Sequence, residues 1–321
     1  MSESAERGMS GTRATLLHIA LIAAFFVIQF ALPAYHYGNV TRIMLYAVFA
    51  IGYNILLGYT GLLSLGHALF FAAGAYGAGL TAYWWGLGPI AALGAGIAAA
   101  LGVSLLAGLI VYRTTGVAFL IVTLMLAQAA FLSTLYFNTI TLGDQGIVLS
   151  LPPIALFGAS LPLADPMVKY NVALVAFALA LLLSLWLLRS PFGRVLIAVR
   201  ENEARTRLLG YNTALYRFTA LVISGTLSGL SGALYCLLFG YVGSSFASLQ
   251  YSTLPLLWTL LGGSGVTLGP PLGAAITHYL IDISSSLTSS YMILVGVALV
   301  AITLWFPQGL AGWFRRWKRA A

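Results

Sequence analysis

The chain reads as a succession of apolar runs, most of them close to the roughly 20 residues a helix needs to cross a bilayer. Clear runs lie at 16–32, 43–57, 68–85, 89–111, 117–137, 172–188, 218–239 and 292–306. Two shorter runs, 254–261 and 272–283, flank a glycine-rich, charge-free segment at 262–273. Only 7% of the residues are charged and 60% are hydrophobic, against about 25% charged in a soluble domain, so this chain could not cover itself for water. Nuclear, secreted disulfide-linked and disordered classes are excluded. The expected fold is all-α, a polytopic integral membrane helix bundle with glycine-rich broken or re-entrant segments. It has about ten spans, or eight if the pair 254–261 and 272–283 is re-entrant. One cysteine, Cys236, allows no internal disulfide, and histidines at 18, 36, 67 and 278 have no metal-ligand spacing.

The excess of basic residues, 15 against 7 acidic, reads as topology rather than as affinity for nucleic acid. With ten crossings and both termini in the cytoplasm, the basic loops all fall inside, and only Arg42 and Lys169 remain outside. The domains expected are a cytoplasmic tail at 1–15, a transmembrane domain at 16–314 and a basic cytoplasmic tail at 315–321. Within the domain, 138–169 is an external loop and 189–217 a cytoplasmic one. Arg7 and Arg13 precede the first apolar run as in a secretion signal, but no small-x-small site follows, so the run is expected to remain as a first helix. Trp84, Trp85, Trp305 and Trp313 read as interfacial anchors.

Two features bear on function. Leu56-Leu57-Gly58-Tyr59-Thr60-Gly61 is echoed by Leu260-Leu261-Gly262-Gly263-Ser264-Gly265, either an internal repeat of the kind transporters carry or glycines for close helix packing. The cytoplasmic loop predicts one amphipathic helix. Ser190 caps it, Pro191 opens it and Gly210 closes it. Glu201 pairs with Arg205 and Glu203 with Arg207 at i, i+4, and Val195, Leu196, Val199 and Leu208 form an apolar face. Such a helix either binds anionic lipid or docks on a cytoplasmic partner. The chain lacks a G-x-x-x-x-G-K sequence followed by Ser or Thr, so it has no P-loop of its own. Asp282, four residues after His278, is the one candidate for a proton relay inside a span. A separate ATPase pushing on the charged helix is the simplest source of drive.

Several separated blocks resemble the LivM-type permease subunit of branched-chain amino-acid ABC importers. They are Gly58-Tyr59-Thr60-Gly61-Leu62-Leu63-Ser64-Leu65-Gly66-His67-Ala68, Gly74-Ala75-Tyr76, Ser190-Pro191-Phe192-Gly193-Arg194, Ala198-Val199-Arg200-Glu201-Asn202-Glu203 and Leu209-Gly210-Tyr211-Asn212. Further along stand Ser228-Gly229-Leu230-Ser231-Gly232-Ala233-Leu234, Leu261-Gly262-Gly263-Ser264-Gly265, Gly269-Pro270-Pro271-Leu272-Gly273-Ala274 and Phe306-Pro307-Gln308-Gly309-Leu310. The resemblance covers about 40–313 and implies a pore made with a LivH-type sister permease in the bacterial inner membrane. It also implies two cytoplasmic ATPase subunits that hold the ATP, and a periplasmic solute-binding protein. This chain itself is expected to bind no cofactor and to be no enzyme. The segment 194–210 corresponds to the ATPase-coupling region, with Arg194, Arg200, Glu201, Glu203, Arg205, Arg207 and Gly210 as its candidates. Thr141, Gly143, Asp144 and Gly146 match the external loop where the binding protein docks. Two departures, Leu62 where the family usually has glutamine and Gly243 where it often has proline, keep the cargo open among branched-chain amino acids, other amino acids, short amides and urea.

Thr60, Gly61, Ser64, His67, Gln128, Gly262, Ser264 and Gly265 are the candidates for the translocation path. For His67 the competing expectation is a structural histidine bonded to backbone freed by the helix break, and for Gln128 a link between helices. Two other readings stand beside the permease. One is a lone facilitator or ion-coupled carrier using Asp282 and His278. The other is an intramembrane serine protease, since Gly262-Gly263-Ser264-Gly265 fits G-x-S-G with His278 as base.

Overall fold

The structure, a computed structural model, describes residues 11–150, 152–156, 159–287, 290–305 and 309–310. Expectations placed on residues 1–10, 306–308 and 311–321, including the basic tail at 315–321 and Trp313, lie outside the described residues, while 11–15 of the tail expected at 1–15 belong to the first helix.

Helix α1 (Gly11–Ile28) leads into α2 (Ala34–Asn54), which loosens into a π-helical turn at Ile55–Thr60. Then come α3 (His67–Trp85), α4 (Pro89–Val111) and α5 (Gly116–Tyr136). A polar excursion follows, with α6 (Asn138–Thr141) and strands β1 (Ile147–Val148), β2 (Ile154–Leu156) and β3 (Ala159–Leu161). Helix α7 (Pro166–Arg189) turns directly into α8 (Pro191–Leu208), and α9 (Thr213–Phe239) runs on to β4 (Tyr241–Val242) and a 3-10 turn, Ser244–Ala247. Helices α10 (Leu249–Gly262), α11 (Gly269–Leu287) and α12 (Tyr291–Trp305) complete the chain. The molecule is an all-α-helical membrane protein whose strands, among the described residues, form two short antiparallel pairs, β1 with β4 and β2 with β3.

Among the described residues, five stretches are long and apolar enough to cross a membrane: Tyr35–Thr60, Pro89–Val111, Gly116–Tyr136, Pro166–Arg189 and Thr213–Phe239. Side-chain contacts fix their directions. Ser231 of α9 donates to Leu45 O and Ser224 to Gly52 O, so α9 runs antiparallel to α2. Tyr37 packs on Tyr170 while Tyr59 meets Ser184, so α7 runs parallel to it. The bundle thus has one end bearing α8 and an opposite end bearing the β pairs. Helix α2 is central: Leu45, Val48, Phe49 and Ile51 are at most 1% exposed. Leu106, Val117 and Trp186 lie on the outside, more than 60% exposed, as a lipid-facing surface requires.

Close packing of α3, α4 and α9 rests on residues without bulk. A Cβ on Gly74 would stand 1.9 Å from Gly229 O, and one on Gly232 2.0 Å from Phe71 O. Helix α10 has 14 residues, about 21 Å of rise, short of the ~30 Å hydrocarbon layer. The buried residues Ser244, Phe246 and Ala247 lead into it.

Candidate functional site

The two glycine segments that echo each other in sequence meet in space. The α2 π turn ends on Gly61, whose φ of +75° closes the helix. At Gly58 a Cβ would fall 2.1 Å from Asn54 Oδ1 and 2.7 Å from the amide nitrogen of Gly265, so only hydrogen fits between the breaks. Asn54, 1% exposed, joins them: its Oδ1 accepts from Gly265 N at 2.9 Å and its Nδ2 donates to Val266 O at 3.2 Å. Free backbone groups at helix breaks need such a partner. π turns of this kind recur at functional sites.

Into this junction comes Arg200 from α8. Its guanidinium donates to Gly58 O, its Cγ lies 3.1 Å from the Cβ position of Gly61, and its Nη1 2.9 Å from that of Gly265. One arginine of the outer helix therefore touches both breaks. The sequence placed Arg200 with the coupling residues and Gly61 and Gly265 with the path; the structure joins the two sets.

Helix α8 differs from the single helix expected. Ser190 Oγ accepts from Gly193 N at 3.1 Å, as the cap predicts, and Gly210 follows at φ +89°. At Asn202 (φ −160°, ψ 96°) the helix breaks. Asn202 Oδ1 then accepts from Arg205 N at 2.9 Å, capping a second short segment at 203–208. That break separates Glu201 from Arg205, which form no ion pair, whereas Glu203 pairs with Arg207 at 3.1 Å. Glu203 is also bound within the chain, accepting from Thr213 Oγ1 at 2.9 Å and lying 3.3 Å from Arg217 Nη1. Val195, Leu196 and Val199 are buried as expected. Leu208 is not: it is 88% exposed, and Leu209 beside it 71%. Arg194, Arg205 and Arg207 project from this surface, exposed.

His67 begins α3 fully buried. Its Nε2 lies 2.8 Å from Ser224 Oγ, which itself donates to Gly52 O, and its Nδ1 lies 3.0 Å from Ser64 Oγ, which accepts from Gly66 N. A neutral ring protonated on Nε2 satisfies all four contacts. His67 thus reaches freed backbone through serine hydroxyls rather than directly. Ser252 Oγ accepts from Ala68 N at 2.9 Å, capping the same helix. Thr60 Oγ1 bonds back to Leu56 O. Gln128 is exposed on the outer face of α5, neither linking helices nor facing the junction.

In the polar segment between α5 and α7, Thr141 is 8% exposed. It donates to Thr134 O and accepts from Gly143 N. Gly146 packs against Val242 O and the Tyr241 ring. These three hold the turn together, while Asp144 and Gln145 between them are exposed. Asp144 Oδ1 accepts from Ser244 Oγ at 3.0 Å. Ser264 stands in the turn beside Arg200's junction, and His278 lies nine residues into α11, about 13 Å along the helix, so no serine-histidine pair forms. Asp282 accepts from Tyr35 Oη at 2.7 Å and Asn39 Nδ2 at 3.3 Å. No group of three or more potential metal ligands occurs among the described residues.

Asn54, Arg217, Ser224 and Ser252 were missed by the sequence reading. Each is a polar residue within or beside an apolar run, and for Asn54, four positions before Gly58, that placement was the available signal.

A bundle of apolar helices, opened by glycine turns into which a polar outer helix sends an arginine, suits an integral membrane permease subunit. Residues 38–306 match the family model described as branched-chain amino acid transport system / permease component, and the chain belongs to that family. It is 31% identical over 296 residues to the high-affinity branched-chain amino acid transport system permease protein LivM of Salmonella typhimurium, a match covering 84% of this chain and 68% of the relative. The same figures relate it to LivM of Escherichia coli. The autoinducer 2 import system permease protein LsrC of Salmonella paratyphi B is 29% identical over 140 residues, 42% of this chain and 36% of the relative. No solved structure matches the chain.

Proposed function

We propose that this chain forms half of the pore of an ATP-driven importer, its partner in the membrane being a LivH-type sister permease. Two ATPase subunits seat on the α8 end in the cytoplasm, and a periplasmic binding protein delivers cargo at the opposite end near Asp144 and Gln145. Ten crossings put both termini in the cytoplasm of a bacterial inner membrane. Leucine, isoleucine and valine are the first cargo to test, given what the LivM relatives are named for. ATP stays on the partner subunits, and this chain is a conduit rather than an enzyme.

The observation that carries the reading is the Arg200 contact. The exposed Leu208 and Leu209 with Arg205 and Arg207 offer an apolar tip with a charged rim, the anatomy of a docking surface. Force applied there passes along α8 to Arg200, whose withdrawal frees Gly58 O and opens contact with Gly61 and Gly265. Both breaks then move together, which is what rocking between outward and inward access requires.

Arg200→Ala in the complete importer tests this. ATP hydrolysis should persist while ATP-dependent leucine uptake into proteoliposomes falls at least about tenfold, the loss expected when a charge-assisted bond and its packing disappear. Uptake and hydrolysis falling together, or neither falling, would count against Arg200 as the transmitting group.

A further inference from the structure

At the end opposite α8 lies a second cluster that the coupling junction does not use. Arg42 stands eight residues beyond the start of α2, about 12 Å along the helix, and its side chain is exposed. Its guanidinium sits 4.8 Å from the centre of the Phe239 ring, and Lys169 Nζ lies 5.9 Å from the same ring. Among the described residues neither cation has an acidic side chain within ion-pair distance. Two cations sharing one aromatic ring without a counter-charge make a place that attracts an anion.

The cluster continues inward from Arg42. One turn further along α2, Tyr46 stacks on Tyr235 at 5.7 Å, packs against Trp258 at 5.0 Å and His278 at 6.1 Å, and brings its hydroxyl within 3.4 Å of that of Tyr251. Two nitrogens on this wall, Trp258 Nε1 and His278 Nε2, are buried without a hydrogen-bond partner, and Trp258 is only 3% exposed. Buried polar atoms are normally satisfied. Unpaired ones beside a free cation mark a surface still missing a polar ligand.

We propose that Arg42 is the cargo-selecting residue of this permease half, receiving a carboxylate of the incoming solute while Tyr46, Tyr235 and Trp258 flank the rest of it. The proposal deepens the permease reading and rests on it. It narrows the cargo from the open set of amino acids, amides and urea to solutes that carry a carboxylate. An arginine is suited to that task because its planar fork meets both carboxylate oxygens. A lipid phosphate could satisfy the same cation. The aromatic wall and unpaired nitrogens lead away from Arg42 toward the buried face of α2, however, where a headgroup at the surface does not reach.

The test uses the complete importer in proteoliposomes, with radiolabelled L-leucine as the carboxylate probe and urea and propionamide as neutral probes. Arg42→Gln should lower leucine uptake at least about tenfold, and Arg42→Lys, keeping the charge, should recover a substantial part of it. Co-purification of the partner subunits should be unchanged in both. Wild-type leucine uptake by Arg42→Gln would overturn the assignment. So would a defect that tracks loss of partner subunits, which makes Arg42 an assembly contact. A defect present with phosphatidylglycerol and gone in pure phosphatidylcholine would make it a lipid anchor. If the unmodified importer moves urea or propionamide but not leucine, carboxylate selection is wrong and the permease reading stands; if it moves none of the three with ATP, both fall.

Discussion

Three donors from its own chain converge on the Glu203 carboxylate: Arg207 at 3.1 Å, Thr213 at 2.9 Å and Arg217 at 3.3 Å. The Arg207 side chain is 68% exposed, so that pair is screened and worth little. Arg217, 7% exposed along its side chain, is the consequential partner, because a guanidinium left without its counter-charge in a buried position is costly. Glu203→Gln should therefore lower stability by about 2 kcal/mol, read as a fall in the unfolding midpoint of the detergent-solubilised protein. Glu201→Gln, at an exposed and unpaired position, should stay within about 0.5 kcal/mol of the parent. In sequence the two acids look alike, each with an arginine four residues on. What separates them is Asn202, whose preference for capping breaks the helix between Glu201 and Arg205, and the fold of α9, which brings Arg217 to Glu203 from fourteen positions away. His67 was more legible, since a buried polar group beside a helix break needs hydrogen-bond partners in any fold. Its partners, Ser64 and Ser224, depend on which helix lies alongside and could not be read from spacing.

Glycines do different work in different elements of this molecule, and composition alone does not sort them. Gly61 ends a helix by its left-handed backbone, whereas Gly74, Gly229 and Gly232 let α3 and α9 approach until backbone touches backbone. Gly94, in α4, has nothing within 4 Å of its Cβ position. The sequence displays all of them as small residues in apolar runs, so it announced breaks and close packing without saying which glycine served which. The apolar periods of the long helices were legible, and so was the Ser190 cap, because both are local. The shortness of α10 was legible as an apolar run too short to cross. Gly232→Ala, which drives a methyl to within 2.0 Å of Phe71 O, should force α3 and α9 apart and cost about 2 kcal/mol or more. Gly94→Ala should be neutral, or stabilising by up to about 1 kcal/mol through helix propensity. Thermal unfolding of the two variants side by side provides the measurement, and equal effects would mean that the α3–α9 crossing is looser than its geometry requires.

Across the whole molecule the two ends differ in chemistry, and that difference is what gives the bundle a direction. The α8 end exposes Arg194, Arg200, Arg205 and Arg207, the basic excess that stays on the cytoplasmic side in most helical membrane proteins. The opposite end carries the short strand pairs, the exposed Asp144 and Gln145, and the cations Arg42 and Lys169 around Phe239. If the first end meets ATPases and the second meets delivered cargo, then Arg200 and Arg42 are the inner and outer arginines of one path, joined by α2 and its π turn, which carry Arg42 and Gly58. The sequence supplied the charge asymmetry but could not show that α2 and its π turn link the two sites, because that requires the fold. The native Cys236 is fully buried, so Cys236→Ala gives a background in which single surface cysteines report sidedness. On that background Gln145→Cys should react with a membrane-impermeant maleimide in intact spheroplasts, and Arg205→Cys should react only after permeabilisation. The reverse labelling pattern would put α8 on the face that has no ATP, and neither the coupling role of Arg200 nor the cargo role of Arg42 would survive it.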